Sequence, residues 1–186
     1  VGEEFDRALK AFFHKEAFLP GQLDIATAIL NDEDVFAVRP TGSGKTLCFQ
    51  LPGVIDRGLT VVVEPLIALI HDQVAGLKRL NIPAAAVCYE QTEMERAAIE
   101  SAVRSRKLKF LYVTPERLGN PAFRKMLSSA GVSRFVFDEG HCISQWGNSF
   151  RPDYAAVGRY LADIEAKAMR RFPRIVLTAS ATRKVI

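Results

Sequence analysis

A glycine-rich segment that ends in lysine and threonine carries the clearest chemical signal in this sequence of 186 residues. It follows the apolar run 35–38 directly and precedes another apolar stretch. Gly42 and Gly44 let the backbone turn its N–H groups towards an anion, and the N-terminus of a following helix adds partial positive charge. The lysine suits the β- and γ-phosphates of a nucleotide, and the threonine hydroxyl suits Mg²⁺. The pattern predicts a phosphate-binding loop made of Thr41, Gly42, Ser43, Gly44, Lys45 and Thr46, although Arg39 stands where the strict pattern has glycine.

A short acidic segment, Asp138-Glu-Gly-His141, follows the apolar run 135–137. Nucleotide hydrolysis at such a loop needs a carboxylate for Mg²⁺ and a group that orients the attacking water. We expect Asp138 to hold the metal together with Thr46, Glu139 to act as the base towards the water, and His141 to sense the state of the nucleotide. An Asp-Glu pair after a strand is often only a solvated turn, so this prediction depends on its pairing with the loop. No Asn-Lys-x-Asp segment is present, which disfavours a GTPase.

The elements that must position these residues alternate between strands and helices. Short apolar runs, bounded by polar or breaker residues, predict fully buried strands at 35–38, 60–63, 84–87, 110–113, 135–137 and 175–177. Helical stretches are predicted at 3–14, 20–30, 66–80, 92–105, 122–129 and 155–170, with a further helix after the glycine-rich loop. This order predicts an α/β fold with a doubly wound, mostly parallel sheet, in which ligands gather at the carboxyl ends of the strands.

Composition places the chain among ordinary globular proteins. With 48% apolar residues and no linker, repeat or low-complexity tract, residues 1–186 are expected to form a single domain whose first 34 residues are a helical lead-in. No apolar run approaches the ~20 residues of a membrane span, and no signal-peptide pattern is present, so we expect a soluble protein. Cys48, Cys88 and Cys142 show no paired spacing, which argues against zinc and favours an intracellular compartment, the cytoplasm or nucleoid in a bacterium. The net charge of +4 permits a polyanionic partner without indicating one.

From residue 18 to residue 182 the chain resembles the first RecA-like lobe of superfamily 2 helicases, and within them the RecQ family. Beyond the two motifs above, the resemblance is carried by Pro20-Gly-Gln22, 61–69, Asp72-Gln73, Thr114-Pro-Glu-Arg-Leu118, Cys142-Ile-Ser-Gln-Trp-Gly147, Phe150-Arg-Pro-Asp-Tyr154 and Ser180-Ala-Thr182. It implies an ATP- and Mg²⁺-dependent DNA helicase that moves 3′ to 5′ on single-stranded or partly duplex DNA. It also implies a second RecA-like lobe in the same protein that supplies an arginine finger, so this lobe alone would bind nucleotide but hydrolyse it slowly.

The resemblance also assigns roles to individual positions. Gln22 would read the adenine edge, and Ser180 and Thr182 would link hydrolysis to movement. The set expected to contact or respond to DNA comprises Pro65, Leu66, Gln73, Thr114, Gln145, Trp146, Phe150 and Arg151. Exposed aromatic side chains can stack on unpaired bases, at about 1–3 kcal/mol each, and backbone N–H groups at strand ends can hold phosphates without reading sequence.

Several positions depart from the family pattern. The family has arginine where Leu19 stands and an aromatic residue near Lys15, which together sandwich adenine, so weak base stacking is predicted here. Gly140 replaces alanine in the acidic motif, Asn148-Ser149 replaces His-Asp, and Glu64 replaces a small serine beside the DNA track. Two other functions therefore stay open: another superfamily 2 motor, such as an RNA helicase or a DNA translocase, and a catalytically idle module that binds partners in a nucleotide-dependent way.

Overall fold

A computed structural model describes residues 2–40, 42–88, 91–138 and 152–179, with side chains excluded at 152–155. The helices in these ranges are α1 (Gly2–Phe13), α2 (Gln22–Leu30), α3 (Lys45–Ile55), α4 (Ile67–Arg79), α5 (Glu93–Arg104), α6 (Pro115–Leu118), α7 (Pro121–Ser129) and α8 (Pro152–Ala168). The strands are β1 (Val35–Val38), β2 (Leu59–Val63), β3 (Ala84–Val87), β4 (Phe110–Val113), β5 (Val132–Phe137) and β6 (Arg174–Thr178). None of the described helices is long and apolar enough to cross a membrane.

The strands form one parallel sheet in the order β1-β6-β5-β2-β4-β3. Side chains alternate between its two faces, so Val61 and Phe135 join a core with α7 and α8, while Val62 and Val136 join a second core with α3 and α4. A third cluster packs α1 and α2 against α3. The predicted doubly wound α/β fold is thereby confirmed.

The prediction that every strand is fully buried is wrong for β1. Phe36 and Val38 are 44% and 47% exposed, whereas Ala37 between them is buried in the core that includes Ile29 of α2. The physical reason is position, because among the described strands β1 lies at the edge of the sheet and pairs only with β6. One of its faces is covered by α2, and the other is open among the residues that the structure describes.

Element ends differ from the sequence prediction where the backbone turns sharply. The second helix begins at Gln22 instead of Pro20, because Gly21 takes a left-handed conformation with φ of 74° that cannot start a helix. His14 and Met169, with φ of 53° and 51°, follow the last residues of α1 and α8. Thr114 is followed directly by one short helix, α6.

Candidate functional site

The glycine-rich loop joins the carboxyl end of β1 to the N-terminus of α3, as its pattern predicts. Gly42 and Gly44 have φ of 78° and 71°, a left-handed conformation that strains residues with a side chain. Gly44 is the N-cap of α3, so Lys45 and Thr46 lie in the first turn, both half-buried. The N-terminus of α3, with the positive end of its dipole, therefore lies at the place where an anion is expected. Thr41 lies outside the described residues.

Arg39, which replaces the first glycine of the strict pattern, braces this loop. Its Nη1 donates to the backbone oxygen of Pro20 at 2.9 Å, its Nη2 to the backbone oxygen of Ser43 at 3.3 Å, and its Nε to the Ser43 hydroxyl at 3.4 Å. Its backbone N–H donates to the oxygen of Thr178 at 2.9 Å. One side chain therefore ties the loop to the segment before α2. From the sequence, Arg39 was noted only as a departure from the strict loop pattern. Ser43, four residues later, is the one local feature that could have indicated a hydrogen-bond partner for it.

Gln22 supports the same loop from the other side. Its side chain is almost fully buried, accepts a hydrogen bond from the Leu19 N–H at 2.8 Å, and donates to the backbone oxygens of Gly44 and Ser43 at 3.0 and 3.3 Å. The amide oxygen and the amide nitrogen are both engaged, so Gln22 acts as a positioning group for the loop in this conformation. Its reading of an adenine edge stays a prediction.

A cavity of about 350 Å³ opens beside Gln22 and the loop. Its lining includes Gly42, Gly44, Lys15 and Leu19, and Leu19 is half exposed. The two positions at which the sequence departs from the family's adenine-binding pattern thus lie at this cavity. No aromatic ring lines it among the described residues, so a planar base would meet aliphatic side chains there.

Asp138 directly follows β5, at the carboxyl ends of the strands, where the loop also lies. The residue is 3% exposed, its N–H donates to the oxygen of Val63 at 3.1 Å, and Gln73 Nε2 donates to its Oδ2 at 3.4 Å. Only β6 separates β5 from β1, so the two strand ends are about 10 Å apart. Gln73 was expected at DNA, but the structure brings it against the carboxylate expected to serve the nucleotide. The described residues include no group of three or more potential metal ligands.

The ends of β2 and β4 carry the remaining described residues of the expected DNA track. Pro65 is buried and Leu66 is 48% exposed. Thr114 is 2% exposed, and its hydroxyl has no hydrogen-bond partner within the described ranges. It lines a cavity of about 330 Å³ together with Arg96, Glu116 and Arg117, and Arg96 was not among the residues singled out from the sequence. The predicted residues that fall outside the described ranges are Thr41, Glu139, His141, Gln145, Trp146, Phe150, Arg151, Ser180 and Thr182.

Comparison with known proteins agrees with this geometry. The profile of the DEAD/DEAH box helicase family matches residues 19–186. The chain belongs to this family. Family membership implies the use of ATP, and it accounts for a glycine-rich loop and an acidic strand end on one edge of a parallel sheet.

Sequence relatives of this DEAD/DEAH box helicase domain confirm the resemblance to RecQ helicases. It is 40% identical over 184 residues to the probable ATP-dependent DNA helicase RecS of Bacillus subtilis, a match that covers 98% of this chain and 36% of the relative. It is 38% identical over 173 residues to the ATP-dependent DNA helicase RecQ of Haemophilus influenzae, covering 93% and 27% of the two chains. The chain thus spans about a third or less of these relatives.

Solved structures show the same fold. The DUF1998 helicase MrfA bound to DNA and AMPPNP superposes with a TM-score of 0.76 at 19% identity, over 98% of this chain and 26% of that one. At this level of identity the likeness establishes the RecA-like architecture of the lobe.

Proposed function

We propose that this chain is the ATP-binding lobe of a DNA helicase that couples ATP hydrolysis to movement along single-stranded DNA, 3′ to 5′, and to duplex unwinding. The observation that carries the proposal is that the loop before α3 and the buried Asp138 both lie at the carboxyl ends of strands in one parallel sheet, with only β6 between those strands. Relatives named as DNA helicases support DNA as the substrate.

The nucleotide roles follow from side-chain chemistry. Lys45 would contact the β- and γ-phosphates from the first turn of α3. Thr46 and Asp138 offer the oxygen ligands that Mg²⁺ prefers, and Gln73 holds one carboxylate oxygen of Asp138 in place. The metal, when bound, neutralises charge on the phosphate oxygens. Glu139 would orient the attacking water as the base.

The DNA roles are supported at the ends of β2 and β4. Thr114, whose buried hydroxyl has no hydrogen-bond partner within the described ranges, lines a cavity together with Arg96, Glu116 and Arg117, and the two arginines suit a phosphodiester oxygen. Leu66, at the start of α4, is 48% exposed. We further propose that the loop containing Trp146 and Phe150 stacks on unpaired bases, as the resemblance implies.

A second RecA-like lobe of the same protein would complete the site. Because an arginine supplied from another unit can be worth about 10³- to 10⁵-fold in rate, we expect residues 1–186 to bind ATP but hydrolyse it slowly. Fast DNA-stimulated turnover by this chain alone would contradict that part of the proposal.

The test is the DNA-stimulated ATPase and the unwinding of a 3′-tailed duplex by the full-length protein. Lys45→Ala and Asp138→Asn should each lower the ATPase rate at least a hundredfold, whereas Arg104→Ala, a change at an exposed arginine of α5, should not alter it. ATPase rates equal to wild type in both the Lys45 and the Asp138 variants would overturn the proposal that the protein is an ATP-driven motor. If single-stranded RNA and DNA stimulate the ATPase equally, the protein is better described as another superfamily 2 motor than as a DNA helicase. ATP binding without any hydrolysis would favour the catalytically idle module.

A further inference from the structure

We propose that Glu64 weakens the contact between a DNA phosphate and the N-terminus of α4, and so lowers the affinity of this lobe for single-stranded DNA. The inference rests on the proposed function, because the N-terminus of α4 meets DNA only if the lobe works as a nucleic-acid motor. It deepens that function by naming a residue that sets affinity.

Glu64 is fixed between the sheet and the helix. Its backbone N–H donates to the oxygen of Val113 at 3.0 Å, which extends the pairing of β2 with β4 by one residue. Its side chain turns towards α4, where Oε1 accepts a hydrogen bond from the N–H of Leu66 at 2.9 Å. Glu64 is 0% exposed, so this carboxylate is held inside the protein and not on a mobile surface side chain.

Leu66 is the N-cap of a helix of 13 residues, and its own side chain makes no capping hydrogen bond. The first turn of α4 contains no Asp or Glu. Glu64 therefore supplies from outside the helix the negative charge that favours a helix N-terminus. Asp72, in the next turn, is exposed to solvent.

A helix N-terminus binds phosphate because its first N–H groups lack partners and its dipole is positive there. Glu64 changes both conditions, since it occupies the Leu66 N–H and places a carboxylate beside the neighbouring donors. An incoming phosphate would meet a like charge and one donor fewer. The adjacent strand end differs, because the Thr114 hydroxyl has no partner within the described ranges.

Two substitutions separate charge from hydrogen bonding. Glu64→Gln keeps the size of the side chain and an oxygen that can accept from the Leu66 N–H, but removes the charge. Glu64→Ser removes the charge and is too short to accept that hydrogen bond. A charge near a helix N-terminus contributes roughly 0.3–2 kcal/mol, so we expect binding to be about threefold tighter in the glutamine variant and about tenfold tighter in the serine variant. The control is Glu93→Gln, which removes an exposed carboxylate from the first turn of α5.

The measurement is fluorescence anisotropy of a labelled oligothymidylate with full-length protein at one fixed salt concentration, since phosphate contacts depend on salt. Tighter binding by both Glu64 variants, with the control within twofold of wild type, supports the proposal. Wild-type affinity in both variants overturns it while leaving the DNA-helicase function intact. If neither wild type nor variants bind DNA, the proposed function and this inference both fail.

Folding is checked by nucleotide binding and thermal unfolding, because Glu64 is buried. If both variants unfold, hydrogen exchange of the wild-type protein decides. The Leu66 amide should then exchange slowly without DNA, although its side chain is half exposed, because Glu64 is its acceptor. Rapid exchange at Leu66 would show that the contact does not persist in solution and would overturn the proposal.

Discussion

Arg39→Met should weaken nucleotide binding by loosening the phosphate-binding loop. The substitution removes a guanidinium that holds the backbone oxygens of Pro20 and Ser43 and the hydroxyl of Ser43. Only the bond to Pro20, at 2.9 Å, has favourable length, while the other two, at 3.3 and 3.4 Å, are long. A hydrogen bond to a charged group contributes about 1.5–3 kcal/mol. Because Arg39 is only partly buried, we expect its three hydrogen bonds together to contribute about 1–2 kcal/mol to nucleotide binding. This predicts a dissociation constant for the nucleotide roughly 5- to 30-fold higher in the variant.

The assay is titration of residues 1–186 with a fluorescent ATP analogue, with Arg39→Lys and Arg104→Met alongside. The lysine variant keeps the positive charge but cannot reach several acceptors in a planar fork, so it should resemble the methionine variant. Arg104→Met removes an exposed arginine and should bind like wild type. A dissociation constant within twofold of wild type for Arg39→Met would refute the bracing role, and full rescue by lysine would show that charge alone matters.

Three further outcomes are expected. Gly44→Ala should abolish measurable ATP binding in the same titration. The backbone of residue 44 has a φ of 71°, and a Cβ on it would lie 2.4 Å from the amide nitrogen of Gln22; unchanged binding would mean that the loop readily takes another conformation. Asp56→Ala should lower the free energy of unfolding by about 3 kcal/mol in urea titration. Within the described ranges it leaves the guanidinium of Arg134, 1% exposed, with Asp32 at 3.6 Å as its only acidic partner; a loss below 1 kcal/mol would contradict this. Burial raises the pKa of the Cys48 thiol to about 11. In a protein with the other two cysteines changed to serine, the alkylation rate of Cys48 should therefore still rise between pH 9 and pH 10.5, whereas the rate of an ordinary thiol levels off there.

Strand positions were predictable because parallel strands buried between two helical layers need continuous apolar runs. The runs at 35–38, 84–87 and 110–113 coincide with β1, β3 and β4. The strand predicted at 135–137 begins earlier, at Val132, because Ser133 and Arg134 are polar and interrupt the apolar run. Arg134 is nevertheless buried, where burial lowers the pKa of its guanidinium and the charge of Asp56 opposes that shift. Asp56 is 78 residues away in sequence, so no local pattern could reveal the pair.

The chemistry of the phosphate-binding loop is local and was equally predictable. Glycines at positive φ, a lysine and a hydroxyl at a helix start are fixed by a few adjacent residues. The groups that hold this loop come from elsewhere in the chain, as Gln22 does, and their contacts with Ser43 and Gly44 depend on how α2 packs beside α3. The placement of Gln73 at Asp138 likewise depends on α4 lying over the sheet.

The sequence by itself determined the kind of lobe, the loop that is expected to bind phosphate and the acidic strand end that accompanies it, because each depends on residue types at short spacing. Only the tertiary structure decided what surrounds them: Arg39 and Gln22 bracing the loop, Glu64 capping Leu66 and Thr114 lining a cavity with two arginines. These contacts join residues brought together by strand order and helix packing. Burial then fixes their strength, because hydrogen bonds and charges withdrawn from water are costly to leave unpaired.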